Sequence, residues 1–143
     1  ASTELDIIMG AAAPYLDEIR QQAADLPFKA TVSVGVTDMA ERMCLSDLSI
    51  GAAGSTSWER CCLGLPAITV VLAENQRLIG EALSENGAGL LVDVDRIRED
   101  LAMMVESIMA SDNECLLLAS QAAMVCDGAG VERVVSVLTG VSS

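Results

Sequence analysis

The 143-residue chain is 52% hydrophobic but only 2% aromatic, so its core has to be built from Ala, Val, Ile, Leu and Met, and its length suits one domain. A formal net charge of −13 repels phosphate backbones and anionic lipid, which argues against nucleic acid or a membrane as partners. Histidine is absent and the five cysteines show no C-x-x-C spacing, so imidazole catalysis, a zinc cage and a disulfide framework are set aside, and no metal or cofactor is expected.

From the amino end, Leu5 to Met9 (LDIIM) reads as a short strand ending at Gly10. It is followed by a helix whose apolar Tyr15, Leu16, Ile19 and Ala23 recur at helical spacing. Phe28 to Val36 is rich in β-branched residues and predicts a strand. Asp38 to Leu45 predicts a short helix and Leu48 to Ile50 a brief strand. Ser55 to Leu63 is the next helix, stopped by Gly64-Leu65-Pro66, and Ala67 to Leu72 (AITVVL) the next strand. Asn75 to Glu85 is helical, and Gly87 and Gly89 lead into LLVDV as the last strand. Three helices close the chain, the second opened by a Ser111-x-x-Glu114 capping box and the third by the turn DGAG.

Short apolar strands alternating with helices imply parallel pairing through crossovers that place helices on both faces. The expected architecture is therefore α/β: a Rossmann-like parallel sheet of about five strands, forming one domain over residues 1–139 with a tail at 140–143. No apolar run reaches membrane-spanning length, and ASTELDIIMG lacks the basic start and apolar core of a secretion signal. With unpaired cysteines, this predicts a reducing, cytoplasmic setting.

Ligands of such sheets sit beyond the carboxyl ends of strands. Three loops fall there: Gly10 to Pro14, Gly51 to Ser57 (GAAGSTS), and Ala73 to Gln76 (AENQ). In GAAGSTS, Gly51 and Gly54 permit unusual backbone angles and close approach, while Ser55, Thr56 and Ser57 offer hydroxyls where unpaired amides open a helix. The stretch lacks the P-loop lysine and the G-x-G-x-x-G spacing, so an anion site and ordinary turn chemistry both remain open. Thr56-x-x-Glu59 is spaced as a capping box, and spacing alone favours that role over a carboxylate holding two ribose hydroxyls. Asn75 and Gln76 place two amides at the mouth of the following helix, where Asn also serves as a cap. Trp58 is expected to pack, and Cys61 and Cys62 to be small buried or half-buried residues without catalytic duty.

The segment DLSIGAAGSTSWERCCLGLPAITVVLAENQ, Asp47 to Gln76, resembles the UDP-sugar hydrolases of pseudaminic acid biosynthesis. These are relatives of the GT-B glycosyltransferases such as the one making lipid II. The GSTSWE…GLP…ENQ combination carries the likeness, which runs from LDIIMGAAAP to DGAGVERVV and points to the carboxy-terminal half of such a two-domain protein. The resemblance implies that Gly54, Ser55 and Thr56 meet the diphosphate of UDP or a UDP-sugar, that Glu59 takes the ribose hydroxyls, and that Asn75 and Gln76 face the diphosphate or sugar. It also implies a catalytic histidine in an amino-terminal domain that this chain lacks, so no catalytic residue is assigned here. The family's domain opens with a strand and glycine-rich loop ahead of LDIIMG that are likewise absent. The sheet must then close that gap, borrow a strand or pair with another copy, making a homo-oligomer one expected partner. A glycosyltransferase donor-binding domain, or a non-catalytic nucleotide- or protein-binding module, is the alternative.

Overall fold

The β-branched runs do form strands. In the computed structural model, which describes residues 3–140, five strands alternate with helices, and every strand pairing is parallel. Most of the expected tail at 140–143 lies outside the described residues. Contacts divide the chain into two compact units, Ala1–Met39 and Ala40–Ser143.

In the first unit, β1 (Glu4–Met9) pairs with β2 (Lys29–Val34) in a register running from Glu4 opposite Lys29 to Met9 opposite Val34. The Lys29 ammonium lies 2.8 Å from the Glu4 carboxylate. The crossover helix α1 (Leu16–Ala24) buries Ala23 as its spacing predicts, but Tyr15 leaves the apolar stripe. Tyr15 stands at the helix entrance with φ 64 and is 70% exposed. Its carbonyl accepts the Ile19 N–H at 3.0 Å, so it serves as the half-in residue that starts the ladder while its own backbone stays outside helical angles.

Following α2 (Met39–Cys44), the second unit contains β3 (Ser49–Ala52), β4 (Ala67–Val71) and β5 (Leu90–Asp93) in the order β3-β4-β5. All five residues of β4 are buried, because helices cover both faces of this central strand. On one face, Ile68, Val70 and Val92 join Ile108 of α5 (Ile97–Ala110) and Leu118 of α6 (Asp112–Val125) in the main core. The other face meets α3 (Thr56–Cys62) and α4 (Glu74–Glu85). Gly80 of α4 sits so close to the sheet that an added Cβ would come within 2.5 Å of Leu91 Cδ1. The result is the expected α/β architecture of parallel strands flanked by helices.

Both glycine stops behave as the sequence predicts. Gly64 (φ 62) donates to Cys61 O while Leu65 N–H reaches Arg60 O, and Gly87 (φ 66) repeats the pattern with Ala88 N–H on Leu83 O. In each case a left-handed residue closes the last turn of its helix. The Ser111 box is half made. Ser111 Oγ accepts the Glu114 N–H at 3.2 Å, but the Glu114 carboxylate turns to the Ser107 hydroxyl at 3.1 Å. Asp127 Oδ1 accepts the Ala129 N–H at 3.0 Å, giving the DGAG turn its expected Asx geometry.

One expectation needs correcting at the carboxyl end. Asp112–Thr139 is apolar and long enough, by length and composition, to cross a membrane, with an 18-residue window of mean hydropathy 1.2. The turn at Gly128 (φ 75) interrupts it, separating α6 from α7 (Gly130–Thr139). No residue of α7 is buried within the described structure.

Candidate ligand-binding turns

The turn between β3 and α3 is built from a strand end that folds back on itself. Gly54 N–H donates to Ala52 O at 2.9 Å, and Ser57 N–H to Gly54 O at 3.0 Å. Gly54 is thus committed within the turn, whereas the amides of Ser55 and Thr56 have no partner among the described residues. Ser55 is exposed and Thr56 half-buried, so both stand at or near solvent. Such unpaired amides at a helix start are suited to an anionic acceptor.

The expected Thr56-x-x-Glu59 capping box does not form. Thr56 is already helical, so Ser55 occupies the cap position, and its φ −58, ψ −31 lie in the helical region with no side-chain cap bond. A capping side chain needs extended backbone at that position, and the Thr-Glu pair is one residue out of phase with it. Glu59 is therefore exposed, its carboxylate unpartnered among the described residues.

The AENQ turn is organised differently. Ala73, extended at φ −150, ψ 152, takes the cap position that Asn75 could have held. Gln76 turns back so that its Oε1 accepts the Leu72 N–H at 3.2 Å, while its own N–H bonds Ala73 O at 2.9 Å. Arg77 ties the first turn down, reaching Asp93 at 2.9 Å and Glu74 at 3.2 Å, and these carboxylates raise its pKa, with the Asp93 hydrogen bond the largest cause. Asn75 is exposed and unpartnered among the described residues, so of the two amides it is the one left fully available.

Sequence reasoning missed Arg60. It is 7% exposed, has no carboxylate partner among the described residues, and leaves Nε without an acceptor. Its Nη1 reaches Ala52 O at 3.5 Å, the same carbonyl that receives the Gly54 amide. Burial pushes its guanidinium below its ordinary pKa, partly opposed by the neighbouring Cys61 and Glu59. The reason for Gly51 lies here as well. Neither Gly51 nor Gly54 has a positive φ, contrary to the expectation of unusual angles; instead a Cβ on Gly51 would overlap Arg60 Nη2. The one available signal was an arginine between Glu59 and Cys61 in an acidic chain, which spacing rules do not single out. Ser57 Oγ and Thr69 Oγ1 are also buried without partners.

Trp58 was expected to pack but keeps 40% of its surface exposed. Cys61 is buried as predicted, while Cys62 is exposed. Both thiols are pushed above their ordinary pKa, by desolvation first and then by Cys126. A shallow pocket lined by Glu85, Asn86, Leu117 and Gln121 lies at the far end of α4 from the AENQ turn.

Comparison with known proteins agrees with this architecture. The profile of the glycosyltransferase family 28 C-terminal domain matches residues 3–132. The spore coat polysaccharide biosynthesis protein SpsG of Bacillus subtilis is 27% identical over 133 residues, covering 92% of this chain and 39% of that protein. The chain thus spans well under half of that relative's length. The crystal structure of MurG from Acinetobacter baumannii superposes with a TM-score of 0.78 at 20% identity, over 98% of this chain and 42% of its own. The Streptomyces sp. SF2575 glycosyltransferase SsfS6, complexed with thymidine diphosphate, gives 0.57 at 15% identity, over 95% of this chain and 42% of its own. At these identities the structures establish the fold, a GT-B-type carboxy-terminal domain.

Proposed function

The chain belongs to the glycosyltransferase family 28 C-terminal domains, and on that premise we propose that it is the donor-binding domain of a GT-B glycosyltransferase-like protein, holding UDP or a UDP-sugar at the turn between β3 and α3. The observation that carries this reading is the pair of unpartnered amides at Ser55 and Thr56, with the free Glu59 carboxylate one helical turn on. The diphosphate accepts from these amides and from the Ser55 and Thr56 hydroxyls, while Gly54, committed to Ala52 O, shapes the turn without donating. Glu59, a pure acceptor with two oxygens, takes both ribose hydroxyls. Asn75 extends toward the diphosphate or sugar. Gln76 contributes at most its Nε2 donor, because Oε1 is already used by Leu72. The pyrimidine nucleoside diphosphate held by SsfS6 supports a ligand of this class.

In this role the domain positions the leaving diphosphate and stabilises the charge that develops on it; no residue of the chain is assigned a proton-transfer step. The company of glycosyltransferases supports transfer to an acceptor. The GSTSWE…GLP…ENQ segment favours a second reading, in which water is the acceptor and a UDP-amino sugar is hydrolysed. Calorimetric titration with UDP tests the binding. The expected result is saturable heat that Glu59→Gln weakens about tenfold, the worth of one hydrogen-bonded charge. A folded sample giving no heat at millimolar UDP would sink the proposal. Release of UDP from a UDP-sugar by the full-length protein without any acceptor separates hydrolysis from transfer.

A further inference from the structure

We propose that Arg60 is the positioning residue that makes this turn selective for a diphosphate over an uncharged nucleoside, an inference that rests on the reading of the turn as a UDP site. With a net charge of −13, the chain needs a local source of positive potential to hold a multiply charged anion. Of its other cations, Arg20, Lys29, Arg77, Arg96 and Arg133 each sit against a carboxylate, and Arg98 is exposed on α5. Arg60 alone combines deep burial with the lack of any carboxylate among the described residues.

Its placement is specific. The guanidinium lies over Gly51, where any Cβ would collide with it, and Nη1 meets the Ala52 carbonyl that also fixes the Gly54 amide. The register sets Thr69 beside Gly51 on the same face of the sheet, and Ser57 is one turn before Arg60 on α3. Three polar atoms are buried without partners among the described residues: Arg60 Nε and Ser57 Oγ on α3, and Thr69 Oγ1 on β4 opposite Gly51. A buried cation with no counter-charge is costly, and the cost is relieved when an anion docks nearby. Arg60 acts in two ways: it holds Ala52 O, and so the turn, in place, and its field reaches the anion through protein rather than water.

The test compares UDP, UMP and uridine by calorimetry on the wild-type full chain, Arg60→Met and Arg60→Lys, with thermal unfolding of each. Arg60→Met is expected to weaken UDP at least about tenfold, to change uridine less than about twofold, to flatten the salt dependence of UDP binding, and to leave Tm unchanged or raised. Arg60→Lys keeps the charge without the planar fork and should fall between. If wild type binds UDP and Arg60→Met binds it equally well, the role of Arg60 is overturned while the UDP reading stands. If wild type does not bind UDP, both fall. Should Arg60→Met not fold, Arg60→Lys decides: UDP affinity equal to wild type overturns the inference, and a selective loss for UDP over uridine supports it.

Discussion

The two helix entrances on the α3–α4 face of the three-stranded sheet, both at the carboxyl ends of strands, are opposites in structure. At α4 the turn is closed: Gln76 bonds back to Leu72, and Arg77 is pinned between Glu74 and Asp93. At α3 the turn is open: no side chain caps it, two amides are unspent, and the nearby arginine is buried without a carboxylate. The α4 entrance satisfies its own polar groups and gains local stability. The α3 entrance leaves them unspent, and the proposed ligand would satisfy them.

That contrast can be broken most forcefully at Gly51. Gly51→Val drives a side chain into the Arg60 guanidinium and should cost about 1–3 kcal/mol in urea unfolding, with UDP affinity falling alongside. A subtler cut is Ser55→Pro. The native φ of −58 suits proline, and the lost N–H has no partner to abandon. Stability should shift by less than about 0.5 kcal/mol while UDP binding, followed by calorimetry, weakens about tenfold. Unchanged affinity would mean that this amide meets no ligand.

Gln76→Ala sharpens the comparison from the other side. Removing the back-bond to Leu72 should lower stability by about 0.5–1 kcal/mol and change UDP affinity less than about twofold. A large affinity loss would move Gln76 from structural to ligand duty. The smallest effect concerns pH. The Ala129 N–H holds the Asp127 carboxyl below its ordinary 3.8, helped by Arg133, so its stabilising contribution is present above that value and lost as pH falls through the lowered one. Tm followed from neutral pH to below 3.8 should therefore drop slightly less steeply in Asp127→Asn than in wild type.

Much of the fold was legible because it depends on local patterns. β-branched runs such as AITVVL became strands, and Gly64 and Gly87 ended helices with left-handed backbone. The candidate turn was legible by position, at the carboxyl end of β3, but not in its bonding. Thr56 and Glu59 satisfy the spacing of a capping box yet do not form one, because the helix begins at Thr56 and Ser55 is already helical. A one-residue difference in where a helix starts is below what propensity resolves. Trp58 likewise departs from expectation, since an aromatic residue's burial depends on what covers it and not on its own chemistry.

The sequence by itself determined the alternation of strands and helices, the excess of acidic residues and the lack of imidazole, all of which follow from residue type and period. Only the tertiary structure decided that Arg60 folds inward over Gly51, that Gln76 closes one entrance, and that Ser55 and Thr56 keep their amides free. Hydrogen-bond satisfaction and burial are properties of neighbours brought together by folding, and no single stretch of chain contains them.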